Sequence, residues 1–147
     1  MRCWLYIILI LTSVSVQAQN WRELFASAQA AYEQEKIEES LTLSKQCLEA
    51  YKAEDGSASE NYASILRLVG NLHFSAEAYT DGLVFIQQEV SIRESKKDIN
   101  YASALENEAQ FFTALSKYEN AIAALHKARL VLELFYQADD PVLLLND

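Results

Sequence analysis

Apolar and small residues recur every three or four positions along most of this chain, which is the spacing of one face of an α-helix. The clearest run follows Ser116 and comprises Tyr118, Ala121, Ile122, Leu125, Ala128, Leu132 and Phe135. The pattern predicts six helices, at about residues 21–34, 37–53, 58–75, 78–95, 99–114 and 117–138. Because only a few residues separate the two helices of each pair, we expect these helices to be antiparallel neighbours.

Residues that cap helices stand near several of the predicted boundaries. In a capping box, a hydroxyl and a carboxylate three residues apart satisfy free N–H groups at the start of a helix. Two pairs have this spacing, Ser57 with Glu60 and Ser116 with Glu119. Asp98 is placed to cap the fifth helix. Pro141 is predicted to end the sixth helix and to begin a seventh, since proline is tolerated at the first helical position.

A short phrase, Asn-Tyr-Ala-Ser, occurs at residues 61–64 and again at 100–103. When Ile37, Tyr79 and Tyr118 are aligned, at spacings of 42 and 39 residues, small residues also coincide. They are Ala28, Gly70 and Ala109 in the first helix of each pair, and Ser40, Gly82 and Ala121 in the second. Small side chains at these positions allow the two helices of a pair to approach each other closely.

These coincidences predict three helix–turn–helix repeats, at about residues 21–56, 57–97 and 98–140, with a truncated fourth repeat at 141–147. A single repeat cannot bury its own apolar face, so neighbouring repeats stack and share a core. The expected fold is therefore an all-α solenoid.

The first twenty residues have the pattern of a secretory signal peptide. An apolar run of about 12 residues follows Arg2, which is short of the roughly 20 that a membrane-spanning helix needs. Val16 and Ala18 stand at the −3 and −1 positions of a cut before Gln19. The pattern predicts a signal peptide at 1–18, a mature domain at 19–147, and export to the periplasm or the medium. An uncleaved N-terminal anchor is the alternative.

Composition narrows the classes of partner. The formal net charge is −9, and an acidic chain repels nucleic acid and anionic membrane surfaces. Three glycines and one proline are too few for a fold with many turns, which favours helices. After cleavage Cys47 is the one remaining cysteine, so no internal disulfide is expected. We expect a buried, unreactive thiol there, with a bridge between two chains as the alternative.

No motif in the sequence indicates catalysis, a cofactor or a metal. His73, His126 and Cys47 lack the spacing of metal ligands. The three glycines do not form a phosphate loop or a dinucleotide fingerprint. His73 falls at a core position of the second repeat and is predicted to be a packed histidine. The sequence predicts a protein that is not an enzyme, with no cofactor.

The repeat positions resemble those of the tetratricopeptide repeat (TPR) family. The third repeat fits best, with Leu105, Ala109, Phe112, Tyr118, Ala121, Leu125 and Ala128. The second repeat departs from the pattern at His73 and at Glu89, where the family has an aromatic residue and an alanine. The long linkers are similar to the roughly 42-residue variant of kinesin light chains. That variant also occurs in exported bacterial TPR proteins, some of which carry a caspase-like peptidase domain.

The resemblance implies that a peptide or protein binds on the concave face, which the first helix of each repeat lines. Matched by position, the groove residues are Arg22, Phe25, Gln29, Tyr32, Ser64, Arg67, Asn71, Phe74, Ser103, Glu106, Gln110 and Thr113. Arg67 and Asn71 share a helix face. The guanidinium is expected to contact a ligand carboxylate at two points, and the amide to pair with ligand backbone. Glu106 disfavours a C-terminal carboxylate as ligand. The alternative is that Arg67 and Asn71 are ordinary solvated residues.

Two other hypotheses come from the final stretch, DDPVLLLND. It resembles the start of a repeat without the polar capping helix that usually closes a solenoid. One hypothesis is that the chain is the N-terminal recruiting part of a larger enzyme or signalling protein, such as a TPR protein with a peptidase domain. The other is that the uncapped end pairs with a second copy.

Overall fold

The computed structural model of the protein describes residues 21–55 and 59–138. This part of the chain is helical: α1 (21–33), α2 (Ile37–Asp55), α3 (Glu60–Ser75), α4 (Tyr79–Arg93), α5 (Ile99–Ala114) and α6 (Tyr118–Ala138). Each helix lies within two residues of its predicted range, which confirms the all-α prediction. The predicted signal peptide and the predicted fourth repeat lie outside the described residues.

The helices stack in chain order. α2 packs on α3, α3 on α4, α4 on α5, and α5 on α6. α1 is joined to α2 by buried hydrogen bonds to its backbone, since the Ser40 hydroxyl donates to Ala28 O at 2.7 Å and the Cys47 thiol to Trp21 O at 3.1 Å. Contacts between sequence neighbours are what an α-solenoid requires.

Cys47 is fully buried and unpaired, as the sequence predicted. Burial raises the pKa of its thiol to about 11, so the thiolate that reacts is disfavoured. A bridge between two chains would need this side chain to leave the core.

The small residues mark the closest approach of the paired helices. Gly70 on α3 faces Gly82 on α4 so closely that a methyl group at Gly82 would lie 3.0 Å from Gly70 O. In the other two repeats the same positions are Ala28 with Ser40, and Ala109 with Ala121, all of them buried. The predicted role of the small residues is confirmed in every repeat.

The turn inside each repeat has the same left-handed residue. Glu35, Glu77 and Ser116 have φ values of 60°, 58° and 58°. In each turn this residue donates its N–H to the carbonyl three residues earlier, and the next residue donates five residues back. These bonds form a Schellman motif, which satisfies the free carbonyls at the end of the first helix.

Two of the predicted caps are wrong. Ser116 belongs to the Schellman turn that ends α5, and its left-handed backbone is incompatible with a helix N-cap. Ser59 rather than Ser57 caps α3, because its hydroxyl accepts a hydrogen bond from Tyr62 N at 3.2 Å. Asp98 caps α5 as predicted, and its carboxylate accepts from the backbone N–H groups of Asn100 and Tyr101.

The apolar stripe predicted on α6 is only half buried. Ala121 and Ala128 are in the core, whereas Tyr118, Ile122 and Leu125 are 60%, 67% and 49% exposed. The α4 residues that match Ile122 and Leu125 are Leu83 and Ile86, which α5 covers in a shared core cluster. No helix within residues 21–55 and 59–138 covers α6 in that way.

His73 is a packed core residue, as predicted. Its ring stacks on Phe85 with 5.5 Å between centroids, and its Nε2 is buried without a hydrogen-bond partner. Burial lowers the pKa of His73, and Lys45 acts in the same direction, while Asp81 opposes them. Because the unfolded chain then binds the proton more readily, the stability of the fold decreases as the pH falls below about 6.5 and through the lower folded pKa.

Replacing His73 by phenylalanine is expected to stabilise the fold by about 1 kcal/mol at pH 7, because an unsatisfied buried nitrogen is removed. The gain is expected to increase toward pH 5, where the wild type loses stability through proton binding. Urea unfolding at several pH values measures both effects. His126→Gln, at an exposed histidine, is the control. Parallel pH curves for His73→Phe and the wild type would contradict a role for His73 titration.

Candidate peptide-binding groove

The first helices of the repeats line three adjoining cavities. The central cavity has a volume of about 380 Å³ and is lined by Tyr32, Arg67, Asn71, Phe74, Ser75, Ser103, Glu106, Asn107 and Gln110. The N-terminal cavity, of about 470 Å³, is lined by Phe25, Gln29, Tyr32, Glu33, Glu60, Ser64, Arg67, Leu68, Asn71, Arg93 and Asn100. The end cavity, of about 560 Å³, is lined by Phe74, Glu106, Ala109, Gln110, Thr113, Ala114 and Leu125.

Shared residues connect the three cavities into one groove. Tyr32, Arg67 and Asn71 border both the N-terminal and the central cavity. Glu106 and Gln110 border both the central and the end cavity. The groove therefore runs across α1, α3 and α5, which are the first helices of the three repeats.

Eleven of the twelve predicted groove residues line at least one of these cavities. The exception is Arg22, whose guanidinium lies over the Trp21 ring at 4.3 Å from its centroid. This stacking is not visible in the repeat alignment, because it depends on the orientation of two adjacent side chains. The structure thus brings Gln29, Tyr32, Arg67, Asn71, Phe74 and Gln110 together, while their part in peptide binding stays a prediction.

Arg67 is not the open clamp that the sequence suggested. Its Nε donates to Glu89 Oε1 at 2.7 Å, and the same oxygen accepts from Arg93 Nε at 2.9 Å. One edge of the guanidinium is thus occupied inside the protein, and its charge is compensated by a fully buried carboxylate. The predicted two-point contact with a ligand carboxylate is not available on that edge.

Glu89 is the centre of an ion network beneath the N-terminal cavity. Arg93 extends the network to Glu60 and to Ser64 on α3, and Lys96 lies 2.9 Å from Glu60. Burial raises the pKa of the Glu89 carboxyl, and the two arginines oppose this shift. The network therefore joins α3 to α4 along the groove.

The network is confined to the second repeat. The positions that match Glu89 are Cys47 and Ala128, which are also buried. The positions that match Arg93 are Tyr51 and Leu132. The repeat pattern singled out Glu89 as a departure, but Arg93 was not predicted and Glu60 was predicted only as part of a capping box. This departure could have indicated the ion network, because a charged residue at a buried position that otherwise holds a small residue requires partners.

Asn71 is also engaged within the protein. Its Oδ1 accepts a hydrogen bond from Asn107 Nδ2 at 3.1 Å, which links α3 to α5 across the central cavity. Asn107 was not among the predicted groove residues. The amide group of Asn71 keeps its own N–H donors for a ligand, since only its oxygen takes part in this bond.

The described part of the chain contains neither a metal-binding cluster nor a membrane-spanning helix. No group of three or more His, Cys, Asp or Glu side chains there could hold a metal ion. No helix within residues 21–55 and 59–138 is both long enough and apolar enough to cross a membrane.

Fold and groove together define the class, which is a TPR-like helical repeat fold. No protein-family model and no curated protein matches the chain. Among solved structures, it is similar to the crystal structure of BtubC (BKLC) from P. vanneervenii, with a TM-score of 0.74 and 18% sequence identity. The match covers 84% of this chain and 54% of BtubC, so the chain spans about half the length of that protein.

Proposed function

We propose that this protein binds an extended segment of another protein in the groove formed by α1, α3 and α5, and that it catalyses no reaction. The single observation that carries the proposal is the groove itself, in which three cavities share side chains across all three repeats. Each cavity lies within the range of volumes, roughly 300–1,000 Å³, that is typical of ligand sites. An extended segment fits a long shallow groove better than a compact small molecule does.

The groove offers the contacts that a peptide needs. Gln29, Gln110 and the amide N–H groups of Asn71 can pair with peptide backbone. Tyr32 and Phe74 offer aromatic surface, which contributes much of the binding energy in many interfaces. Because the groove is on helices that pack against each other, it is largely formed before the ligand arrives.

A peptide library displayed on phage tests this proposal. Selection against the purified protein is expected to enrich peptides that lose at least about tenfold in affinity, or roughly 1.4 kcal/mol, when Gln110 becomes lysine and Tyr32 becomes alanine. Gln88→Lys is the matched control, because Gln88 is an exposed glutamine on α4 that lines none of the three cavities. Failure to enrich any peptide, or equal affinity for the groove variant, would contradict the proposal.

We also propose where the protein acts and which variant of the repeat it contains. Residues 1–18 are proposed to direct export and to be removed, which the charge, apolar run and small residues of that stretch support. The repeat is proposed to be the roughly 42-residue, kinesin-light-chain-like variant. The spacings of 42 and 39 residues between the left-handed turn residues Glu35, Glu77 and Ser116 support this assignment.

A second candidate function is favoured by the exposed apolar face of α6, which includes Tyr118 and Ile122. In this proposal the groove recruits a partner for a larger enzyme or signalling protein whose further helices cover that face. The intact mass of the natural protein distinguishes the two candidates. A mass matching residues 19–147 supports the independent module, and a much larger mass supports the recruiting part. Sedimentation of the purified protein as a dimer would instead support pairing of two copies through this face.

A further inference from the structure

We infer that the segment bound in this groove carries a basic side chain next to a bulky apolar one, with the basic group at Glu106 and the apolar group in the end cavity. This inference rests on the proposed function and adds the chemistry of the ligand. It draws on two independent observations, the charge balance of the groove and the shape of the end cavity.

The basic side chains of the groove already have carboxylate partners within the protein. Arg67 and Arg93 both bond to Glu89, and Arg93 also contacts Glu60. Glu33 and Glu106 line the groove and form no ion pair within residues 21–55 and 59–138. Three cations, Arg67, Arg93 and Lys96, thus stand against four carboxylates, those of Glu33, Glu60, Glu89 and Glu106, which leaves the groove with an excess of one negative charge. Charge complementarity therefore favours a cationic ligand.

Glu106 is the carboxylate best placed for that contact. It is exposed, and it lies on the border between the central cavity and the end cavity. A lysine or arginine of the ligand can reach it from the central cavity without displacing a protein partner. The formal net charge of the whole chain is −9, which attracts the same cationic class of ligand.

The end cavity lies at the third-repeat equivalent of a site that is occupied by a side chain in the second repeat. Between the second and third repeats, the Phe111 ring packs edge-on against Phe74 at 5.0 Å and against Ile86. The positions that match Phe74 and Ile86 in the third repeat are Thr113 and Leu125, and both line the end cavity. Leu125 is 49% exposed there. The cavity is therefore shaped for an aromatic or large aliphatic side chain.

These two subsites are adjacent, since Glu106 borders both cavities. In an extended ligand, side chains on one face are two residues apart. The ligand is thus expected to carry lysine or arginine within two residues of an aromatic residue or leucine.

Fluorescence anisotropy with synthetic octapeptides tests the inference. The peptides combine lysine, glutamate or glutamine with phenylalanine or serine in a constant glycine–serine frame. The lysine–phenylalanine peptides are expected to bind best. Glu106→Gln is expected to weaken them about three- to fivefold, as for an exposed ion pair, and Glu106→Lys to reverse the preference toward glutamate peptides. Glu23→Lys, at an exposed glutamate that lines none of the three groove cavities, is the matched control.

The apolar subsite is tested by Thr113→Phe, which places a phenylalanine ring in the end cavity at the position that matches Phe74. The preference for phenylalanine over serine peptides is expected to fall at least fivefold, while Thr80→Phe at an exposed threonine of α4 leaves it unchanged. A preference for glutamate peptides in the wild type, or a lysine preference that survives Glu106→Lys, would overturn the inference and leave the proposed function standing. Absence of binding by every peptide class would overturn both.

Discussion

Replacing Glu89 by alanine is expected to lower the free energy of unfolding by about 3–5 kcal/mol. The Glu89 side chain is fully buried, and its Oε1 accepts hydrogen bonds from both Arg67 and Arg93. Without this carboxylate, Arg93 keeps Glu60 as a partner but loses its buried contact, and Arg67 loses its ion pair. Urea unfolding followed by circular dichroism at 222 nm measures the loss.

A matched variant separates the ion network from simple loss of volume. In the third repeat the positions of Glu89 and Arg93 are occupied by Ala128 and Leu132, so the chain contains an apolar version of the same helix contact. Glu89→Ala combined with Arg93→Leu is expected to recover most of the stability, because the two deeply buried charges are removed together and Arg67, at 31% exposure, reaches solvent. If the single variant is within about 1 kcal/mol of the wild type, the network is not an important stabilising contact.

Replacing Gly82 by alanine is expected to destabilise the fold by about 2 kcal/mol, although alanine is the better helix former. The added methyl group would lie 2.5 Å from Phe111 Cε1, 2.9 Å from His73 Cβ and 3.0 Å from Gly70 O. These atoms belong to two other helices, so relief requires α3, α4 and α5 to move apart. Thermal and urea unfolding both measure the change.

Two further variants identify the cause of that loss. Ala121→Gly, at the matching position of the third repeat, is expected to cost about 1 kcal/mol, which is the helix-propensity difference alone. Adding Phe111→Leu to Gly82→Ala removes the ring atom that the methyl group would meet. The double variant is expected to be more stable than the sum of the two single losses predicts, because the residues are in contact. If the losses of the two single variants are strictly additive, the methyl group at residue 82 does not crowd the Phe111 ring.

The helices and their repeat could be predicted because their signals are local. The three-to-four spacing of apolar residues depends only on helix geometry, and all the described helices lie within two residues of their predicted ranges. Asp98 was identified as a cap because its bonds go to the next residues along the chain. Groove positions could also be predicted, since matching positions of stacked repeats face the same side.

The hydrogen bonds and ion pairs of the groove side chains could not be predicted in that way. Arg67 matched the position of a ligand-binding residue, but its partner Glu89 lies 22 residues away on the next helix. Ser116 had the spacing of a capping box, but the turn at the end of α5 places it in a left-handed conformation. In both cases a contact from outside the local sequence determines what the residue does.

By itself, then, the sequence determined an all-α chain of helical repeats with an acidic balance and a small-residue contact inside each pair. Periodicity, composition and repeat spacing are sufficient for these, because each is a property of the chain along its length. Only the tertiary structure decided that Arg67 and Arg93 both pair with Glu89, and that Ile122 and Leu125 are left exposed on α6. Burial and ion pairing depend on which helix lies next to a residue, and that neighbour is chosen when the repeats pack together.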